Sequence, residues 1–176
     1  KGVTGKDIII TLCGLFNNDE VLNHVLEFTG NGIADLSIDE RLTIANMTTE
    51  WGALAGVFPF DEMTIQWLRN RADFIGKRGL EGVHSDEDKR NGVHPRVNYD
   101  RINDLENNPP KADKGAFYSK EIKLNLNSVS PHISGPNHVK TMTSLHDAVG
   151  KNIKIDKAYL VSCVNSRVED LAEAAK

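Results

Sequence analysis

The stretch Ile155-Asp156-Lys157-Ala158-Tyr159-Leu160-Val161, followed by Ser162-Cys163-Val164-Asn165-Ser166-Arg167 and then Val168 to Lys176, decides the reading of this chain. The apolar run predicts a strand, the polar group around Cys163 a tight turn, and the remainder an amphipathic helix. Strand, turn and helix in that order are the unit of an α/β fold. A cysteine at such a turn lies where the first N–H groups of the following helix favour an anion, so a thiolate that attacks or binds metal is one reading. A small buried residue at the end of a core strand is the other. Ser162, Asn165 and Ser166 weigh against the second, because their side chains satisfy backbone donors or hold a ligand rather than fill a core.

Working outward, Leu42 to Gly56 reads LTIANMTTEWGALAG. Asp35 and Ser37 are N-cap residues, Asp39 and Glu40 support a first turn, and a helix is expected to about Ala53. Apolar residues lie on almost every side of it, from Ile38, Leu42, Ile44, Ala45 and Met47 to Trp51 and Leu54, which predicts a buried helix. Asn46 and Glu50 share a face at i and i+4. Buried there, they need partners, since an unsatisfied polar group costs about 1–3 kcal/mol. A local hydrogen bond is the plain reading. The chemical reading is a carboxyl raised by burial until it exchanges protons near neutrality.

Two further stretches stand out: Gly2-Val3-Thr4-Gly5-Lys6-Asp7-Ile8 and Ser130-Pro131-His132-Ile133-Ser134-Gly135-Pro136. In this order, the four segments resemble those of the aconitase superfamily over nearly the whole chain, weakest between Gly79 and Gly115. In that family the S-C-x-N-S segment supplies the first of three cysteines that hold a 4Fe-4S cluster, and the asparagine–glutamate helix faces cluster and substrate. The resemblance therefore implies Cys163 as a metal ligand, Glu50 as a catalytic proton partner, and Asn46, Asn165 and Ser166 as cluster- or substrate-contacting residues. The family's C-x-x-C pair has no counterpart among these residues. Cys13, the only other cysteine, falls in a predicted helix as a small core residue. A piece of a larger protein, inactive by itself and without an intact cluster, is expected.

The implied activity is reversible removal and addition of water on a small tricarboxylic acid, with an open iron as Lewis acid. The isopropylmalate isomerase branch usually places a cysteine before the asparagine and an alanine-rich run after it. Ala45 and Thr48-Thr49-Glu50-Trp51 stand here instead. That wording favours the branch serving lysine synthesis by the α-aminoadipate route, with aconitase itself the other alternative. A monomer in the mitochondrial matrix is implied. Lys1 begins without a methionine or a leader, so any targeting peptide is expected upstream or removed.

Composition fits without naming a function. A chain of 176 residues, 39% hydrophobic and 26% charged, is ordinary for a globular protein. Its apolar runs fall far short of the ~20 residues of a bilayer span, so no membrane partner is expected. A formal charge of −4 without a basic stripe argues against nucleic acid as a partner. The rival classes are a thiol-dependent enzyme using Cys163, which lacks an adjacent base, and a non-enzymatic binding module.

The expected fold class is α/β: a three-layer aconitase-type domain over residues 1–76, a polar linker over 77–117, and the first part of a second α/β domain over 118–176. Within the first domain, helices are expected at Gly5 to Phe16 and Glu62 to Ala72, and strands at His24 to Phe28 and Leu54 to Phe60, broken at Pro59. The linker carries charges of both signs and Asn107-Asn108-Pro109-Pro110. Arg90, Arg96 and Arg101 read as solvated charge, and His84 and His94 match no zinc spacing. Beyond it, Tyr118 to Val129 alternates like a half-buried strand, and a helix is expected around Val139 to Val149 before Gly150. His132 and His138 either approach a substrate carboxylate or hold local backbone.

Overall fold

Two helices and two small sheets pack around one apolar cluster. The structure is a computed structural model; residues 2–78, 94 and 96–176 are described. The chain divides into two compact units, one of residues 1–58 with 119–176, the other of residues 59–118.

In the first unit, α1 (Gly5–Leu15) opens at Thr4, whose N–H and hydroxyl both donate to Asp7 Oδ2 at 2.8 and 3.0 Å. α2 (Ile38–Trp51) opens with a full capping box: Ser37 Oγ accepts from Glu40 N–H at 3.2 Å, and Glu40 Oε2 accepts from Ser37 N–H at 2.9 Å. Such a cap is worth about 1 kcal/mol. The helix stops at Gly52, whose φ of 112° is the left-handed conformation a helix end needs and a side chain resists. The two helices pack on each other through Ile8, Ile9, Leu12, Cys13, Ile44, Met47 and Trp51, all buried. Trp51 Nε1 donates to the Phe16 carbonyl at 2.7 Å, which satisfies an orphan group at the end of α1.

β1 (Val25–Glu27) and β2 (Ala55–Val57) pair in parallel, Val25 opposite Ala55, with α2 as the crossover between them. β3 (His132–Ser134) and β4 (Met142–Ser144) form an antiparallel hairpin, His132 opposite Ser144. β2 lies against α2 and the hairpin against α1. A Cβ on Gly14 would come within 2.4 Å of Met142 Cβ, so a glycine is required where α1 passes β4. The class is α/β, with a helix pair between two small sheets.

Three expected elements are corrected. Tyr118 to Val129 forms no strand: Ile122, Leu124 and Leu126 do turn toward the core in alternation, but no neighbouring strand receives the backbone, and it ends in a 3-10 turn over Leu126–Ser128. Ile155 to Val161 is likewise outside any strand and exposed along its length, since no strand among the described residues pairs with it. The helix expected from Val139 starts only at Leu145, because residues 142–144 pair with β3 and Ser144 caps α5 (Leu145–Val149).

The second unit is a helix pair. α3 (Glu62–Arg78) and α4 (Tyr99–Asn107) pack together, and Ala72 and Ile102 are buried. α4 lies within the segment expected to be a linker. Asn98 caps it, accepting from Arg101 N–H at 2.8 Å, and Arg69 meets Glu106 at 2.5 Å. The polar composition hid one apolar stripe. The unit boundaries thus differ from the sequence division at 76 and 117. Arg90 and His84 lie outside the described residues.

Candidate functional site

The stripe Asp39, Thr43, Asn46 and Glu50 runs along α2 at spacings of four, three and four residues, so one helix face presents all four side chains. Against α2 lies α6 (Ser162–Asn165), a single helical turn, with α7 (Val168–Ala174) following. Thr43 Oγ1 donates to the Val164 carbonyl at 3.1 Å, and Asn46 Nδ2 donates to the Cys163 carbonyl at 3.4 Å. Two segments more than a hundred residues apart in sequence therefore meet at the cysteine.

Cys163 is exposed, the second residue of the turn. Ser162 before it sits at φ 82°, a left-handed conformation rare for a residue with a side chain and a feature that gathers at functional sites. The turn closes on itself: Ser166 Oγ donates to the Ser162 carbonyl, and Ser162 Oγ accepts from Val164 N–H at 3.2 Å. Asn165 is half-buried beside them. Arg167 leaves the turn toward α2, and Nη1 donates to the Asp39 carbonyl at 2.7 Å and to Thr43 Oγ1 at 3.0 Å.

The expectation that Asn46 and Glu50 are buried fails. Both are exposed, as is Leu42, because one stripe of α2 faces away from α1 and only the other faces are covered. The burial expected of the Glu50 side chain is therefore absent. Lys6, half-buried in the first turn of α1, is a titratable group that burial does reach. Desolvation holds its ammonium below the usual lysine range, while the carboxylates of Glu50 and Asp170 pull in the other direction. The two cysteines part company here. Cys13 has no exposed surface, and burial pushes its thiol up to about 11.

The segments Gly2 to Ile8 and Ser130 to Pro136 are joined by one carboxylate: Asp7 Oδ1 accepts the His132 N–H at 2.9 Å while its other oxygen holds Thr4. His132 Nδ1 donates to the Ser130 carbonyl at 2.5 Å, and His138 Nδ1 accepts from Lys140 N–H at 3.1 Å, so each holds local backbone. His94 Nδ1 accepts from Arg96 and Val97 N–H at 3.1 Å, which occupies it in a turn. Arg96 and Arg101 are exposed; Arg101 pairs only weakly with Asp104, at 3.4 Å. Among the described residues, no group of three or more His, Cys, Asp and Glu is placed to hold a metal ion. Nor is any described helix long and apolar enough to cross a membrane.

Residues 1–153 match the family model described as aconitase family (aconitate hydratase). The chain belongs to the aconitase family. Similar proteins extend past that match to the cysteine turn. Mitochondrial homoaconitase of Debaryomyces hansenii is 53% identical over 99% of this chain and 23% of its own length. Those of Mycosarcoma maydis and Candida albicans are each 52% identical over 99% of this chain and 24% of their own. The chain thus spans about a quarter of the length of these aconitase-family relatives.

Residue types and order point to Asn46, Glu50, Cys163, Asn165 and Ser166, while Lys6, Asp39, Thr43 and the side chain of Arg167 emerge only from the fold. The four-three-four stripe on α2 was the available signal. Its first member reads as a charge supporting the first helical turn, and nothing in the spacing shows that Thr43 reaches a segment more than a hundred residues away.

Proposed function

We propose that this chain carries part of the active site of a 4Fe-4S hydro-lyase, acting in the mitochondrial matrix, that interconverts homocitrate, cis-homoaconitate and homoisocitrate in lysine synthesis by the α-aminoadipate route. The observation that carries it is the bond from Asn46 to the Cys163 turn, in a chain half identical to proteins named mitochondrial homoaconitase. Isopropylmalate isomerase and aconitase remain the alternatives within the family.

The residues fit one corner of a cluster. Cys163 offers an exposed sulfur on a turn whose carbonyl is already fixed, whereas buried Cys13 offers none, so two further thiolates belong to polypeptide other than these 176 residues. When bound, the cluster would supply a Lewis-acidic iron toward the substrate hydroxyl and carboxylate. Asn46 holds the turn from behind, orienting the ligand sulfur. Glu50, one turn further along the same face, takes or returns the proton of the substrate hydroxyl. The Lys6 ammonium adds positive charge on the side where Glu50 and Asp170 concentrate negative charge. A small tricarboxylate is the partner; neither nucleic acid nor membrane enters this reading, and the intact enzyme is a monomer.

The test is anaerobic reconstitution of the full-length protein and hydration of cis-homoaconitate, cis-aconitate and isopropylmaleate side by side. Preference for cis-homoaconitate with bound iron is expected. An iron-free protein with full activity, or a clear preference for isopropylmaleate, overturns the reading. The 176-residue polypeptide alone is expected to be inactive.

A further inference from the structure

Cys163 is held to α2 by more than the asparagine. Arg167, the residue before α7, crosses back over the turn to the start of α2, where its guanidinium meets the Asp39 carbonyl at 2.7 Å, the Asp39 carboxylate at 3.7 Å and Thr43 Oγ1 at 3.0 Å. Thr43 is the pivot: its hydroxyl accepts from Arg167 and donates its proton to the Val164 carbonyl at 3.1 Å. The pair is only partly open to water, with Arg167 and Asp39 side chains 20% and 25% exposed, and Thr43 is buried. Charge-assisted bonds screened from solvent fix geometry far better than surface ion pairs do.

The turn needs such help. α6 is four residues long, begins at a left-handed serine, and follows a segment, residues 150–161, that is exposed throughout. The only buried side chain of the turn is Val164. Apolar packing by one valine does not define where a neighbouring sulfur points. The bonds at Asp39, Thr43 and Asn46, the first accepted by a main-chain carbonyl and the other two donated by side chains, fall one after another along α2 and hold residues 167, 164 and 163 in reverse order.

We infer that Arg167, through Asp39 and Thr43, is a positioning residue that sets the Cys163 sulfur against the Glu50 face of α2. The inference rests on the cluster reading for what the sulfur binds, though not for the clamp itself. Two observables separate them. In cluster-free full-length protein, Arg167→Met is expected to speed amide exchange in residues 163–168 about tenfold while the Ile9 to Leu12 amides keep their protection. Thr43→Val, which keeps the helix, is expected to do the same. In reconstituted protein, Arg167→Met is expected to lose iron to a chelator roughly 10–100-fold faster, with kcat lowered more than KM is raised. Arg167→Lys, which keeps the charge but not the planar fork, recovers part of both effects.

Unchanged exchange in the turn for both Arg167→Met and Thr43→Val overturns the clamp. Faster exchange accompanied by an unaltered rate of iron loss overturns the positioning of the sulfur. A parent protein that takes up no iron at all overturns the proposed function instead, and the exchange experiment still decides the clamp.

Discussion

The surroundings of Cys13 and Cys163 differ in almost every physical respect, although both cysteines lie in the same unit. Cys13 is packed between α1 and α2 among isoleucine, leucine, methionine and tryptophan, with no exposed surface. Cys163 stands exposed on a turn built from serine, asparagine and arginine, held almost wholly by hydrogen bonds. Apolar burial gives the first place its stability and makes its sulfur inert. Directed polar bonds give the second its geometry and leave the sulfur free to bind.

Thiol labelling is the sharpest way to break the comparison. A disulfide reagent is expected to modify Cys163 in the native protein, whereas Cys13 reacts only through opened forms populated at about 10⁻³–10⁻⁶. In a Cys163→Ser variant of these 176 residues the folded chain should therefore be silent and the denatured chain should titrate one thiol; rapid labelling of that folded variant would remove the distinction. Stability should divide along the same line. Ile9→Ala, at a side chain with no exposed surface, is expected to cost about 2–5 kcal/mol in urea unfolding, and Ile155→Ala, 68% exposed, within about 0.5 kcal/mol of nothing.

A pH titration sharpens the contrast further. The thiol of Cys13 is raised from 9.0 to about 11 by burial, so the folded state keeps its proton where the unfolded chain releases it. Its contribution is complete below pH 9 and is lost as pH rises from there toward 11. Melting temperature measured across that window is expected to fall less in Cys13→Val than in the parent. The smallest effect concerns Thr11, buried in α1 with a hydroxyl that has no hydrogen-bond partner among the described residues. Thr11→Val is expected to stabilise by about 1 kcal/mol, since it removes an unsatisfied oxygen; a loss of stability would show that the hydroxyl is satisfied after all.

Local signals in the sequence located what local interactions hold. Thr4 and Ser37 mark helix starts because caps act within a few residues, and α1 and α2 follow their apolar spacing, although α2 stops at Gly52, just short of the expected Ala53. The strands at Val25 and Ala55 are legible from their short apolar runs, although their pairing spans α2. Elements that depend on a remote neighbour were not. Tyr118 to Val129 alternates as a strand would, yet alternation reports which side faces the core and says nothing of whether a ladder partner exists. At the site, the residue types and their order identified Asn46, Glu50 and Cys163. Their exposure, and the arms by which Thr43 and Arg167 reach across the fold, depend on how far apart two segments come to rest, which no spacing within one segment encodes.

Asp7 ties the first helix to the backbone of His132 across 125 positions of sequence. On a ribosome adding roughly 5–20 residues per second, on the order of ten seconds separate the emergence of those two partners. For that interval α1 and α2 exist with Val129, Met142 and Val164 still missing from their shared apolar cluster. Nascent chains of this unit are therefore exposed to chaperones and proteases for longer than its size alone would predict, and slower decoding between Pro59 and Tyr118 lengthens that window without altering a single contact of the finished fold.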